Sequence, residues 1–245
     1  MKIALCLTGQ PRFVKQCFSG IEKNIIDGND VDVYCHYWKP VKDFEYKYGS
    51  DYYDCKWKNF QITEDADVIP TYLPKAFAYD YSIEFYRSVE FGDSIEKYYW
   101  GVKDLPKEEL NRWKRRHISN SISMWYSRMR AFDLIMAQGF STNHYDFIVC
   151  TRYDLIINKK LDFTKLKKGK FYYEEMGQPN DLVSDWLNIG QYWEMKNYSL
   201  IFNNWYDLVN LSLDKRNNWC NELMIRDSVN ADFEKLYLGL GIVRP

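Results

Sequence analysis

Arg152 and Asp154 are the residues of this 245-residue chain whose types and spacing most directly suggest chemistry, because they follow the apolar run 147–151. Residues two apart in a strand project to the same face, so the pair should point the same way. Burying both charges is costly unless each finds a partner. Two interpretations stay open. One is an ion pair that satisfies itself, and the other is a ligand site with arginine on phosphate and aspartate on a metal, a ribose or a sugar hydroxyl.

Polar side chains also follow two other apolar runs. The run 2–9 leads into Thr8, Gly9, Gln10 and Arg12. Glycine lets a ligand approach the backbone closely, and the start of a following helix favours an anion. The run 30–38 ends with His36, which is either a ligand contact or, as for most single histidines, a core residue.

An alternation of strands and helices must position these side chains. The apolar runs 2–9 and 30–38 predict strands, and the segment 10–26 between them predicts a helix with Pro11 in its first turn. This order predicts an α/β fold with a mixed, mostly parallel sheet flanked by helices. Ligands of such sheets bind outside the carboxyl ends of the strands, where all three polar groups would lie.

The remaining elements are predicted from apolar spacing and from turn residues. Helices are expected over 106–118 and over 121–139, the second capped by Ser121 and ended by Gly139. The apolar stripe of that second helix comprises Trp125, Met129, Phe132 and Met136. Further strands are expected at 147–151 and 170–176. The segment 184–209 predicts a short strand, a turn at Gly190 and one long helix, and 217–230 predicts a last helix.

The whole chain, residues 1–245, is expected to form a single domain. Residues 39 to about 105 carry weaker signals, with short strands, loops and one or two helices expected, and this segment is a candidate acceptor site. The 33 basic and 34 acidic residues give a net charge of −1. That balance argues against a nucleic-acid partner and against a polybasic membrane surface.

The cysteines predict a reducing, cytoplasmic location. No C-x-x-C pair occurs, and Cys6, Cys35 and Cys150 each lie within an apolar run, as buried free thiols do. The first apolar run is too short for the core of a signal peptide. The sequence contains no apolar stretch of about 18 residues, the length needed to span a membrane.

Six motifs together resemble those of small bacterial and viral glycosyltransferase-like proteins of the GT-A type. They are ALCLTGQPRF, VDVYCHYW, SMWYSRMRAFDLI, YDFIVCTRYDLII, DWLNIGQYWEMKNY and NELMIRDSV. The resemblance covers nearly the whole chain except about 40–105, and its most specific elements are T-R-Y-D and the leading G-Q-x-R. It implies a nucleotide-binding, GT-A-like α/β sandwich that takes a nucleoside-diphosphate sugar as donor and a glycan or other hydroxyl compound as acceptor.

The resemblance also implies roles for residues. GT-A enzymes hold a divalent metal with a D-x-D motif, and the matching stretch here is Arg152–Tyr153–Asp154. Arginine replaces the first carboxylate, so Arg152 can neutralise the diphosphate directly. Asp154 then remains as the ligand for Mn²⁺ or Mg²⁺, or the metal is absent. Thr8, Gly9, Gln10 and Arg12, with His36, would lie beside the nucleotide.

Glycosyl transfer passes through a cationic sugar while the leaving diphosphate gains charge. An inverting enzyme also needs a carboxylate base on the acceptor hydroxyl. Asp185 lies where the resembling family has an acidic residue, so it is the first candidate for this base. Glu222 is the second, with an ordinary helix-capping role as its alternative, and Asp181 is a nearby competitor.

Three rival functions stay open. A carbohydrate-binding module without catalysis would use the abundant aromatic residues, which make up 18% of the chain and include Trp38, Trp125 and Trp186. Each of these three is equally well explained as a core residue. A nucleotidyltransferase on a similar core and an inactive glycosyltransferase relative are the other rivals, whereas the missing G-x-x-x-x-G-K-[ST] argues against a P-loop NTPase.

Overall fold

The computed structural model describes residues 1–39, 64–81, 106–177 and 182–243. These residues form a seven-stranded mixed sheet flanked by helices, with a separate two-stranded sheet beside it. The strands of the large sheet are β1 (Lys2–Gly9), β2 (Asp30–Lys39), β3 (Ala76–Tyr81), β4 (Phe147–Arg152), β6 (Lys170–Glu174), β7 (Leu187–Gly190) and β8 (Asp232–Leu236). β5 (Leu155–Ile157) pairs with β9 (Leu240–Ile242) in the small one. The predicted α/β class and mostly parallel mixed sheet are confirmed.

The strand order of the large sheet is β3-β2-β1-β4-β7-β6-β8. β7 runs antiparallel to both of its neighbours, and all the other strands run in one direction. Their carboxyl ends therefore share one side of the sheet, here called the carboxyl edge, and β7 begins at that edge. Thr8 pairs with His36 on one side and with Arg152 on the other, so the three predicted polar strand ends lie in one row.

Both faces of the central strands are buried, as their continuous apolar runs predict. Cys6 and Cys150 belong to the apolar cluster on one face, and Cys35 belongs to the cluster on the other. All three are buried free thiols, as predicted. Burial raises the pKa of Cys35 to about 12, so this thiol stays protonated at neutral pH.

The first helix, α1, spans Val14–Ile21 and does not include Pro11. Phe13 has a left-handed backbone with φ of 53°, which keeps the preceding residues out of the helix. The carboxylate of Glu64 accepts a hydrogen bond from the Val14 amide at 2.6 Å and thereby caps the helix start. A π-helical turn, Glu22–Ile26, completes the predicted helical segment.

The longest helix, α3 (Lys107–Met136), replaces the two helices predicted over 106–139. Ser121 does not cap it but lies in its interior, where its hydroxyl donates to the His117 carbonyl at 2.8 Å. This local bond satisfies the serine without interrupting the helix. Gly139 has φ of +67° in the turn that follows the helix, as its predicted role requires. Met136 is 43% exposed and is therefore not part of a buried stripe.

The helices of the second half are shorter than predicted, and one further helix precedes α3. α2 spans Asp65–Tyr72, and the one long helix expected before residue 209 is divided into α4 (Tyr192–Ser199) and α5 (Trp205–Arg216). α6 (Asn221–Ser228) matches the last predicted helix, and a 3-10 turn spans Phe163–Lys165. β8 and β9 were not predicted. Within the described residues, no helix has the length and apolar character needed to cross a membrane.

Two predictions reach beyond the described residues. The single domain over 1–245 stays a prediction for that reason. Of the candidate acceptor segment 39–105, the structure describes only Lys39 and 64–81, which contain α2 and the edge strand β3.

Candidate active site

The candidate site is the crevice between β1 and β4 at the carboxyl edge. From β1 the chain proceeds to β2 and β3 on one side, whereas β4 lies on the other side of β1. Connections leaving two neighbouring parallel strands in opposite directions open a crevice, and ligands of open α/β sheets bind there. The loop that begins at Gly9 and the turn that contains Asp154 follow directly from these two strands.

Arg152 and Asp154 face each other across the end of β4. Arg152 Nε donates to Asp154 Oδ1 and Nη2 donates to Oδ2, each at 2.8 Å. The side chain of Asp154 is 6% exposed and that of Arg152 is 33% exposed. The pair satisfies itself, as the first interpretation of the sequence required. Two of the five N–H donors of the guanidinium are used, which leaves three for a ligand.

Asp185 reaches the same edge because β7 is antiparallel. Leu187 pairs with Thr151 in β4, so the turn at 184–186 lies beside the Arg152–Asp154 pair. Burial lowers the pKa of Arg152, but Asp154 and, more weakly, Asp185 raise it overall. Asp185 is partly exposed, and within the described part of the chain nothing donates a hydrogen bond to its carboxylate. The Asp185 carboxylate thus interacts with Arg152 through its charge and carries no hydrogen bond among the described residues.

In the loop after β1, main-chain atoms rather than side chains are accessible to a ligand. Gly9 has φ of +99°, and a Cβ there would meet no atom within 4 Å, so the space beside it is open. The buried Thr8 hydroxyl donates to the Thr151 carbonyl at 3.2 Å. The side chain of Thr8 thus ties β1 to β4 and does not face the crevice, contrary to its predicted ligand role. Gln10 Oε1 is buried and has no hydrogen-bond partner in the described ranges. A tight turn joins the Arg12 amide to the Gln10 carbonyl.

His36 is a core histidine. It is fully buried, with Nδ1 2.7 Å from Ser127 Oγ and Nε2 3.0 Å from Asp80 Oδ2. Burial lowers its pKa, which Asp80 only partly offsets, so the ring is neutral at pH 7. The pKa of Asp80 is itself lowered, chiefly by His36, so Asp80 is ionised and His36 Nε2 carries the proton. Both ring nitrogens are occupied, and the predicted ligand contact is replaced by a structural one.

Ser127 links His36 to the Gly9 loop. The neutral ring accepts the Ser127 hydroxyl proton at Nδ1, and Ser127 Oγ in turn accepts the Gly9 amide at 2.8 Å. A continuous chain of hydrogen bonds therefore runs from Asp80 to Gly9. It fixes the backbone of Gly9, and no pattern in the sequence had indicated this role for Ser127.

Arg128 is the second residue that the sequence analysis missed. It is 2% exposed, and its guanidinium carbon lies 4.6 Å from the ring centre of Trp125 and 5.2 Å from that of Tyr198. Nη2 donates to the main-chain carbonyl of Asp185. A signal was available, because Arg128 lies three residues after Trp125 and four before Phe132, which places all three on one face of α3.

No protein-family model matches this chain, and no curated protein matches its sequence.

The tryptophans suggested for stacking differ in exposure. Trp38 is 4% exposed and stacks on Tyr126, with ring centres 5.5 Å apart. Trp125 is fully buried. Both are core residues, whereas Trp186 is partly exposed beside Asp185 and remains a candidate for stacking on a ligand.

The two other candidate bases are less well placed. Glu222 lies in the first turn of α6, partly buried, and interacts with the thiol of Cys220. Burial, and secondly the charge of Glu222, raise the pKa of that thiol. A glutamate in the first turn stabilises a helix through its dipole, which favours the capping interpretation. Asp181 lies outside the described residues.

The residues around Asp154 do not form a ready metal site. Both of its oxygens accept hydrogen bonds from Arg152, so a cation would have to compete with the guanidinium. Across the described ranges no group of three or more histidine, cysteine, aspartate and glutamate side chains could hold a metal ion. The Mn²⁺ or Mg²⁺ suggested by the resemblance stays a prediction, and no chemical step is assigned to it.

Proposed function

We propose that this protein is a glycosyltransferase of GT-A-like architecture that transfers a sugar from a nucleoside-diphosphate donor to a hydroxyl acceptor. One observation carries the proposal: the Gly9 loop, Arg152 and the uncommitted carboxylate of Asp185 lie together at the β1–β4 crevice. The mixed, mostly parallel sheet is compatible with the fold that the motif resemblance implies.

Each group suits one part of a sugar nucleotide. The open space beside Gly9 admits the diphosphate close to backbone, and the three remaining Arg152 donors match its oxygens. Asp154 holds the guanidinium in a fixed orientation. Gln10 Oε1, which has no hydrogen-bond partner in the part of the chain that the structure describes, would accept a hydrogen bond from the nucleoside.

Transfer then needs one proton acceptor and one charge stabiliser. Asp185 accepts the proton of the acceptor hydroxyl as its oxygen bonds to the anomeric carbon of the donor. The bond from that carbon to the diphosphate breaks, the electron pair leaves with the diphosphate, and Arg152 stabilises the charge that develops. This assignment corresponds to inversion at the anomeric carbon.

A carbohydrate-binding protein without catalysis is the second candidate. The observation that favours it is the self-satisfied Arg152–Asp154 pair, whose charges cancel and so offer a diphosphate less attraction than a lone arginine. Trp186 would then provide the partly exposed ring on which a sugar stacks.

The test is thermal unfolding with a panel of sugar nucleotides, with and without Mn²⁺, followed by measurement of nucleoside-diphosphate release. A donor at about 100 times its dissociation constant stabilises the protein by about 2.7 kcal/mol. Asp185→Asn should keep this stabilisation and lose turnover, because only the base is removed. Asp214→Asn, a change at an exposed residue of α5, is the matched control and should retain both.

One result would decide against the proposed activity, and another against the assignment of the base. Stabilisation by free glycans but by no nucleotide would favour the carbohydrate-binding protein. Full turnover by Asp185→Asn, with the donor still bound, would exclude Asp185 as the base.

A further inference from the structure

Arg128 is a buried cation that forms no ion pair within the described residues. Its side chain lies between α3, α4 and the turn at 184–186, and its hydrogen-bond acceptor is the carbonyl of Asp185. The Nε and Nη1 atoms are buried and have no hydrogen-bond partner among the described residues. An apolar side chain of similar volume would pack between the same rings without this desolvation cost, so packing alone does not account for arginine at this position.

The turn at 184–186 is held by three buried side chains, one for each consecutive carbonyl. Asn188 Nδ2 donates to the Ser184 carbonyl at 2.9 Å, and Thr151 Oγ1 donates to the Trp186 carbonyl at 3.1 Å. Arg128 holds the carbonyl between them, that of Asp185. Asn188 and Thr151 are fully buried and belong to the sheet, whereas Arg128 belongs to α3.

The result is a residue with a fixed backbone and an uncommitted side chain. The main chain on both sides of Asp185 is anchored, while its carboxylate has no donor in the described part of the chain. A base held in this way loses little freedom when the acceptor arrives, which is how enzymes obtain orientation before reaction.

We propose that Arg128 is a positioning residue that fixes the backbone of Asp185 and thereby directs its carboxylate toward the acceptor hydroxyl. The inference rests on the proposed glycosyltransferase activity and adds to it a residue on a different element from the base. Arg128 touches neither donor nor acceptor. Its charge strengthens the one hydrogen bond that it donates to the Asp185 carbonyl, and the rings of Trp125 and Tyr198 keep the guanidinium in place.

The experiment compares Arg128→Met and Arg128→Lys with the wild-type chain. Arg128→Met keeps the packing volume and removes the donor, so kcat should fall about 100-fold, the effect of misplacing a reacting group by about 1 Å. The KM for the donor should stay within about twofold. Arg128→Lys keeps a charged donor in the same space and should recover part of the lost kcat.

Amide hydrogen exchange supplies a second readout that does not depend on turnover. Exchange at Asp185 and Trp186 should accelerate in Arg128→Met, while the amides of β4 keep their protection. If Arg128→Met does not fold, Arg128→Lys carries the test alone, with a lowered kcat and an unchanged donor KM as the expected result.

The outcomes separate the two proposals. An active wild type whose kcat is unchanged in both Arg128 variants would overturn this inference and leave the proposed function standing. A raised donor KM with unchanged kcat would also overturn it, because Arg128 would then serve donor binding. A wild type that transfers sugar from no donor would overturn both.

Discussion

Arg152 and Asp154 are joined by two parallel hydrogen bonds of 2.8 Å, although one residue ends β4 and the other lies in the turn beyond it. The sequence places two charges beside a buried strand, and this geometry shows that each has the other as its partner. The charges are paired with each other, and the arginine, one-third exposed, retains donors at the crevice. The bond orients the guanidinium before any ligand binds, and it also sets a cost for replacing either partner.

Arg152→Met should destabilise the protein more than Asp154→Asn. Removing the arginine leaves a carboxylate that is 6% exposed without its partner, and we expect a loss of about 2–4 kcal/mol in the free energy of unfolding. Removing the carboxylate leaves an arginine that water can still reach, so the loss should be smaller. Urea unfolding of both single variants and the double variant measures the coupling.

Lys165→Met is the control for that series, because Lys165 and Asp162 form an ion pair with side chains 81% and 44% exposed. It should change the free energy of unfolding by less than about 1 kcal/mol. Equal and additive effects of Arg152→Met and Asp154→Asn would contradict the paired geometry.

The buried His36 predicts a dependence of stability on pH. Burial holds its pKa below the ordinary value of 6.5, so between these two pKa values the unfolded chain binds more protons than the folded one. The free energy of unfolding should therefore fall as the pH drops below 6.5 toward the folded pKa, and His36 adds no slope above that range. The groups that face the ring are Asp80, which opposes the shift, and Arg130, which reinforces it.

His36→Gln should reduce this slope when urea unfolding is repeated at several pH values. His144→Gln is the comparison, since His144 is partly exposed and contributes less. An unchanged slope in His36→Gln would mean that this histidine is not the group that titrates.

Replacing the buried Glu174 should destabilise the protein at a place outside the candidate site. Its buried carboxylate accepts the amides of Leu238 at 2.8 and 2.9 Å, Gly239 at 2.9 Å and Leu240 at 3.4 Å, and so holds the segment between β8 and β9. Glu174→Gln replaces one acceptor oxygen by a donor that faces other donors. We expect a loss of about 1–3 kcal/mol in urea unfolding and faster amide exchange at 238–240.

Glu175→Gln is the matched control for Glu174→Gln. Glu175 is the next residue and pairs with Lys235, and the two side chains are 18% and 29% exposed. The change should cost clearly less than Glu174→Gln, because it removes a single ion pair near the surface. Similar losses for both variants would show that the 238–240 segment does not depend on Glu174.

The fold was predictable where apolar runs are continuous. The runs 2–9 and 30–38 became β1 and β2 within one residue at their ends, because both faces of these strands are buried. β8 was missed because its sequence, DFEKL, is mostly charged and its side chains are largely accessible. α3 was divided in the prediction because Ser121 resembles a cap, whereas only the structure shows its hydroxyl turned back to His117.

The candidate site was predictable for residues whose location follows from where a strand ends. The carboxyl-edge rule brings together Gly9, Arg152 and Asp154 without knowledge of any side-chain contact, whereas Asp185 lies there because β7 runs antiparallel, which the sequence did not indicate. Side-chain roles were less accessible, since Thr8 and His36 face buried hydroxyls and carbonyls that no local pattern indicates. Arg128 was missed because an arginine in a helix usually lies in solvent.

The strand order places the first half of the chain on one side of the sheet and the second half on the other. β1, β2, β3 and α3 come before residue 137, while β4, β6, β7 and β8 come after it. The crevice lies on the seam, and the bond between Thr8 and Thr151 crosses it over 143 positions of sequence. During synthesis the nascent chain therefore has no pocket until its second half emerges and docks. Bringing together residues so far apart in the sequence makes this docking slow relative to local helix formation, so the carboxyl edge is completed only late in folding.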